Sequence, residues 1–249
     1  MIENISVVIL TKNNQSTIED TLQSVQGFSD VVVYDNGSTD KTISIVEQFS
    51  NVNLVYGKFN GFGWTKNKAT TYAKNDWVFI LDSDEVVYKS LYKELQTVSL
   101  NNPYIVFVLK RDNYFFNKKV KYSGWKDDYL IRIYNKTIHK LNDNIVHEFV
   151  QLLPKSIKTT LTYGFKHNAV QDLNQFLFKV AKYSDLASQN KKTCTFMVVV
   201  LKSFFAFFKT YFLQLGFLDG WRGFVIAVSN FNGKFFRYTK RYINCKETL

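Results

Sequence analysis

The stretch FILDSDEVV, residues 79–87, places Asp82, Asp84 and Glu85 within four positions directly after an apolar run. Carboxylates that close repel one another, and folding alone gives no reason to gather them at the end of a buried strand. Hard divalent cations such as magnesium and manganese take carboxylate oxygens and usually keep substrate phosphates in their remaining sites. On an extended backbone residues i and i+2 point the same way, and in a turn both can close on one ion. Asp82 and Asp84, with Ser83 between them, therefore form a candidate metal pair. A cation there would relieve the repulsion and neutralise charge on a departing diphosphate. The plainer alternative is a solvated loop whose acids precede a helix around Leu91. A second set of candidates is cationic. Lys66 follows a loop containing Gly57, Gly61 and Gly63, and amides near a helix start at Trp64 could add donors for an anionic ligand. Those glycines lack P-loop spacing, and DNGSTD (35–40) lies outside the first strand-to-helix turn that a dinucleotide fingerprint needs, which speaks against an ATPase or a dehydrogenase.

The elements that must hold these residues follow from the apolar pattern. Short runs at 5–10, 31–34, 54–56 and 77–81 read as strands. Between them lie helix-length segments, one with Ile18, Leu22 and Val25 in period, one with Ile43 and Val46, and one over 64–73. Gly37 permits a tight turn in DNGSTD. This order predicts an α/β fold with a largely parallel sheet and helices on both faces. Ligands of such sheets bind beyond the carboxyl ends of the strands, where residues 11–13, Asp35 to Asp40, Lys66 with Asn67, and Asp82 to Glu85 converge. A further strand at 105–109 and the alternation Tyr129, Ile131, Ile133 predict mixed strands. Amphipathic residues 172–190, an apolar stretch over 196–215 with Lys202, Ala206 and Lys209 on a narrow stripe, and a segment over 221–231 predict helices.

Charge divides the chain into two parts, 1–150 and 151–249. The net charge is +11, yet residues 1–150 hold 17 basic and 17 acidic residues, while 151–249 hold 15 and 4. A neutral front and a basic, Phe-rich back imply different jobs, and an anionic membrane surface or nucleic acid fits the back. Cys194 and Cys245 have no metal-ligand spacing, which suggests a reducing compartment. The opening MIENISVVIL lacks the pattern of a secretory signal and reads as a first strand. The apolar tract 194–208 is interrupted by Thr195, Lys202 and Ser203 and reads as too short to span a bilayer.

As a set, VVILTKN (7–13), VVYDNGSTD (32–40), WTKNKA (64–69) and FILDSDE (79–85) resemble family 2 of the nucleotide-sugar glycosyltransferases. GWKDDYLIRIY (124–134), NIVHE (144–148) and LGFLDGWRGF (215–224) are similar to the bacterial branch that adds glucose or a related hexose to the lipopolysaccharide inner core. The resemblance implies a GT-A fold, a Rossmann-like mixed sheet flanked by helices with a C-terminal helical extension. It implies a UDP-sugar donor, Mg2+ or Mn2+, and an inverting single displacement. By the same resemblance Asp35 contacts the uridine, Thr11 lines the base pocket, Asp40 closes the nucleotide loop and Lys66 lies near uracil or phosphate. Asp84 is the direct metal ligand, with Asp82 nearer the ribose. Asp128 is the base that takes the acceptor proton. Its neighbour Asp127 stands where the branch usually has proline, which leaves either acid open as the base.

Trp125, Arg132, His147 and Glu148 are candidates for holding acceptor or phosphate, against core packing for the tryptophan and a structural hydrogen bond for the histidine. His167 is a weaker candidate. The implied acceptor is a lipid-anchored core oligosaccharide, and Phe204, Phe205, Phe208 and Phe212 beside Lys202 and Lys209 suit an anionic membrane. The expected setting is peripheral, on the cytoplasmic face of the bacterial inner membrane, with a homo-oligomer open. Capsule or other surface-glycan synthesis is the nearest alternative. Nucleic-acid binding is disfavoured, because the carboxylate loop would repel phosphate and no recognition motif accompanies GKFFRYTKRY.

Overall fold

A computed structural model describes residues 1–145, 148–188 and 195–246. The chain forms two compact units, 1–112 with 128–167, and 113–127 with 168–249. In chain order the elements are β1 (Ile5–Thr11), α1 (Ile18–Ser24), β2 (Val31–Asp35), α2 (Thr42–Val46), β3 (Val52–Tyr56), α3 (Phe62–Thr70) and β4 (Trp77–Asp82). Next come β5 (Glu85–Val87), α4 (Lys89–Leu95), β6 (Ile105–Phe115), β7 (Lys118–Lys119), β8 (Tyr129–Asn135), β9 (Ile157–Thr160) and β10 (Phe165–Val170). The last three helices are α5 (Leu173–Ser188), α6 (Phe196–Phe208) and α7 (Trp221–Lys246).

In the first unit β3, β2, β1 and β4 lie side by side in parallel, and β8 then β6 continue the sheet antiparallel. Every residue of β1 is buried, because both sheet faces are covered. The faces separate by alternation. Ile5, Val7 and Ile9 join Val31, Val33, Phe79 and Leu81 in one apolar cluster. Val8 and Leu10 join Val32, Tyr34, Val78 and Ile80 in another. A period of two with apolar residues on both faces is what a fully covered parallel sheet requires. In-register pairing then brings Leu10 opposite Asp82 and Thr11 opposite Asp35, so the polar strand ends line up.

The second unit is mainly helical. Its apolar cluster contains Phe115, Val120, Val170 and Ile226, with Trp125 and Phe176 packed against it. A cut at residue 150 does not describe the units, because residues 113–127 belong with the C-terminal helices. Asp219 accepts from Lys121 N (2.9 Å) and Tyr122 N (3.0 Å), and Arg222 Nε donates to Phe115 O (2.9 Å). Gly223 is required where α7 passes the 216 backbone, since a Cβ there would fall 1.8 Å from Gly216 O. After α6 a π-turn, Lys209–Leu213, continues the helix. Phe196–Leu213 thus makes 18 helical residues, long and apolar enough to cross a membrane by length and composition, and mostly exposed. The expected helix over 196–215 is close to what forms, and counting its length to Leu213 corrects the expectation, drawn from the 194–208 tract alone, that this stretch is too short to span.

Candidate functional site

The loops after β1 and β2 are tied into one rim. Asp35, 1% exposed, accepts Gly37 N (2.8 Å) and Ser38 N (2.9 Å) on Oδ2 and the Ser38 hydroxyl on Oδ1. Asn13 N donates to Ser38 Oγ (2.9 Å), and Thr39 N donates to Asn13 Oδ1 (2.7 Å). Asp40 accepts from Gln15 N (3.2 Å) and from both the amide and the hydroxyl of Thr42. Burial works to raise the Asp40 pKa, but these hydrogen bonds outweigh it and hold the carboxyl below its ordinary value. Thr11 is buried beside them, its hydroxyl donating to Asn14 Oδ1 at 3.3 Å.

The crowded carboxylates at the end of β4 have side-chain partners. Lys66 Nζ lies 2.7 Å from Asp82 Oδ1 and 2.6 Å from Glu148 Oε1. Arg132 Nη2 lies 2.9 Å from Asp82 Oδ2 and also bonds Glu85 Oε1. Arg111 stands 3.6 Å from Glu85 through Nη1 and donates through Nε to Asp128 Oδ2 at 2.8 Å. The result is a continuous alternation of charge, Glu148, Lys66, Asp82, Arg132, Glu85, Arg111, Asp128. Burial opposes the charge on Lys66 and on Arg132, yet the carboxylates outweigh it and raise both pKa values. Burial likewise opposes Asp82, but Lys66 and Arg132 hold that carboxyl well below its ordinary range. Glu85, with no exposed side-chain surface, goes the other way, raised by burial despite Arg132.

Asp82 was expected to serve a cation, and here two cationic side chains occupy its oxygens. Asp84 is placed differently: its Oδ2 lies 3.5 Å from His167 Nε2. The pairing of β10 with β5, which sets His167 opposite Glu85, brings that imidazole in. One carboxylate oxygen and one imidazole nitrogen at that separation suit a single divalent ion whose other positions are filled from a ligand. Among the described residues no three His, Cys, Asp or Glu gather as a self-sufficient metal site. The donor set therefore fits a cation that binds with an anionic ligand.

Asp128 opens the turn into β8, and Arg111 holds it twice, its backbone N donating to Asp128 O at 2.8 Å. Arg111 is the residue that sequence reasoning did not single out, and His167 was read only as a weaker candidate for acceptor or phosphate. Both reach the site through strand pairing, β6 with β8 and β10 with β5, for which the local sequence carries no signal. Glu148 meets Lys66, and Arg132 joins Asp82 to Glu85, so both lie inside the charge chain. Trp125 and Asp127 belong to the second unit, where the indole is partly buried and tilts against Phe115 at 6.4 Å. His147 lies outside the described residues.

A mixed α/β sheet with polar loops joined at its carboxyl edge and a compensated acidic turn is the architecture of a nucleotide-sugar transferase. Residues 6–153 match the Glycosyl transferase family 2 profile, and the chain belongs to that family, with its GT-A arrangement of sheet and helices. An uncharacterised glycosyltransferase of Rickettsia bellii is 29% identical over 259 residues, spanning 96% of this chain and 86% of that protein. The lipopolysaccharide core biosynthesis glycosyltransferase LpsC of Rhizobium meliloti is 25% identical over 91 residues, 35% of this chain and 34% of that one. Among solved structures, S. aureus TarS 1–349 in complex with UDP aligns over 99% of this chain and 92% of that one, with 15% identity and a TM-score of 0.47.

Proposed function

We propose that the protein is an inverting transferase that moves a hexose, glucose foremost, from a UDP-sugar to a heptose of a lipid-anchored lipopolysaccharide or lipooligosaccharide core. The observation that carries this reading is the charge chain running from Lys66 to Asp128 beside the Asp84–His167 pair. Family membership supports the reaction class, and the partial similarity to LpsC supports the acceptor class.

In this reading the rim of Thr11, Asp35 and Asp40 receives the uridine. Asp84 and His167 would hold Mg2+ or Mn2+, which when bound stabilises negative charge on the leaving diphosphate. Lys66 and Arg132 fix Asp82 toward the ribose. Asp128 accepts the proton of the attacking hydroxyl, and Arg111 keeps that carboxylate aimed. An inverting displacement needs one base on the acceptor side and a charge-stabilising device behind the leaving group; Asp128 would supply the first and a cation held by Asp84 and His167 the second. The exposed apolar helix with Lys202 and Lys209 suits work at the cytoplasmic face of the inner membrane.

The test is a screen of UDP-sugars against the purified full chain with Mg2+ or Mn2+, reading UDP release and calorimetric donor binding. UDP-glucose binding that strengthens with metal, and turnover on a heptose-bearing core, is expected. Binding without turnover on core, with turnover on capsular or other surface-glycan acceptors, would move the assignment to that acceptor class. Absence of UDP-sugar binding with either metal would overturn the reading.

A further inference from the structure

The second unit holds an open hollow of about 210 Å³, and half of the residues lining it are cations, Lys118, Lys119, Lys121 and Arg222. The local fold explains the concentration. Phe116 and Asn117 both take the left-handed region, φ 45° and 58°, and turn β6 tightly into β7. An aromatic residue is rare at such a φ, and here its ring packs against Phe115 and Trp221. The turn pairs Phe115 with Lys118 and Tyr114 with Lys119, so three lysines follow within four positions. α7 starts after Gly220, at φ 63°, and carries Arg222 in its first turn. That guanidinium is fixed by Phe115 O and lies 4.5 Å from the Trp221 ring. Its terminal nitrogens make no hydrogen bond among the described residues.

One acid, Asp219, also lines the cavity, but its oxygens are spent on the 121–123 turn, accepting Lys121 N, Tyr122 N and Ser123 Oγ (2.8 Å). Lys118, Lys121 and Arg222 against one committed carboxylate leave a positive hollow, and the start of a 26-residue helix adds partial positive charge. Beside it stand apolar side chains that folding leaves open: Leu218, in the lining itself, is 54% exposed and Trp221 55%. A soluble anion would need the hollow alone. Cations next to exposed aliphatic and indole surface suit an anion that carries an apolar tail.

We propose that this cavity receives the phosphate of an anionic phospholipid headgroup, with Leu218 and Trp221 entering the acyl boundary beside it. The inference deepens the membrane part of the reading above and is independent of the sugar transferred.

Flotation of the full chain with vesicles tests it, using phosphatidylcholine alone or mixed with phosphatidylglycerol. The wild type is expected to float only with the mixture. Lys118→Gln with Lys121→Gln should weaken that binding about twenty-fivefold, given roughly fivefold per lysine at an anionic surface. The charge-matched control, Lys179→Gln with Lys182→Gln on α5, should weaken it by less than about threefold. Leu218→Asn should weaken vesicle binding while leaving calorimetric binding of inorganic phosphate unchanged. UDP release by the Lys118/Lys121 variant should equal that of the wild type, so loss of release in every protein would count against the transferase reading and not this one. Equal loss from the two lysine pairs, no flotation of the wild type, or phosphate binding with Leu218→Asn floating normally would each overturn the proposal. So would RNA displacing the protein from vesicles only through these lysines.

Discussion

At the scale of single residues, the acidic turn is a set of carboxylates sorted by their partners. Asp82 is held by Lys66 and Arg132, Glu85 by Arg132 and Arg111, and Asp128 by Arg111, while Asp84 faces an imidazole. Asp128→Asn should keep UDP-sugar binding and lower transfer by about 10²-fold or more, the usual size of a general base contribution. Near-normal transfer by that variant would pass the role to Asp127. Asp84→Asn and His167→Ala should each abolish the strengthening of donor binding by Mn2+ while leaving the metal-free affinity and the unfolding midpoint close to wild type. Lys66→Met strands two carboxylates, and urea unfolding should show a loss of about 2–3 kcal/mol, below the figure for fully buried pairs because Asp82 keeps a third of its side chain in water. The pH sign follows from the depressed Asp82 pKa. Its charge stabilises the native state fully above the ordinary carboxylate pKa of 3.8, and that contribution is lost as pH falls through the lower folded value. The stability gap between wild type and Asp82→Asn should therefore be constant from pH 7 to about 5 and close only in strong acid.

At the scale of elements, the strands with the plainest signal are those buried on both faces, while β3, β6 and β8, only partly buried, were read from shorter runs and alternation. Runs such as ISVVILT and WVFILD can satisfy neither solvent nor a half-covered sheet, so their place is settled by composition. β9, IKTT, and β10, FKHNAV, carry no such run, and long-range pairing alone makes them strands. That is why Asp82 and Asp84 could be paired from their spacing, while His167 stood only as a weaker candidate with no sign that it meets Asp84. Helix α7 runs to Lys246, well past the expected stop near residue 231. The Asn-Gly neighbourhood at 232–233 invites a stop, but the amphipathic pattern continues through it. Two glycines of this helix give opposite predictions. Gly223→Ala drives a methyl into Gly216 O and should cost about 3 kcal/mol. Gly233→Ala meets only Val180 Cγ1 at 3.6 Å and should add about 0.5–1 kcal/mol through helix propensity. Thermal unfolding of the pair separates them.

At the scale of the whole molecule, charge follows the compact units more closely than it follows position along the chain. The first unit has 16 basic and 16 acidic residues, the second 16 and 5, so the entire +11 belongs to the second. The sequence division at 150 caught the asymmetry but put Lys118, Lys119 and Lys121 on the wrong side of it, because a hairpin's allegiance depends on helices a hundred residues later. Attraction of this unit to anionic vesicles should fall steeply as salt shortens the Debye length from about 10 Å at 0.1 M to about 3 Å at 1 M, whereas Lys66–Asp82, sheltered from solvent on the lysine side, should hold UDP-sugar affinity nearly level.

The backbone leaves the first unit at 112, returns at 128 and leaves again at 167. Trimming the protein after 167 would not yield a minimal enzyme, because Phe115 and Val120 would be stripped of Val170 and Ile226 while still tethered next to Asp128. Any attempt to shorten this chain for expression, or to graft its tail onto another transferase, must carry the 113–127 loop along with the helices, as a single interchangeable part written in two places.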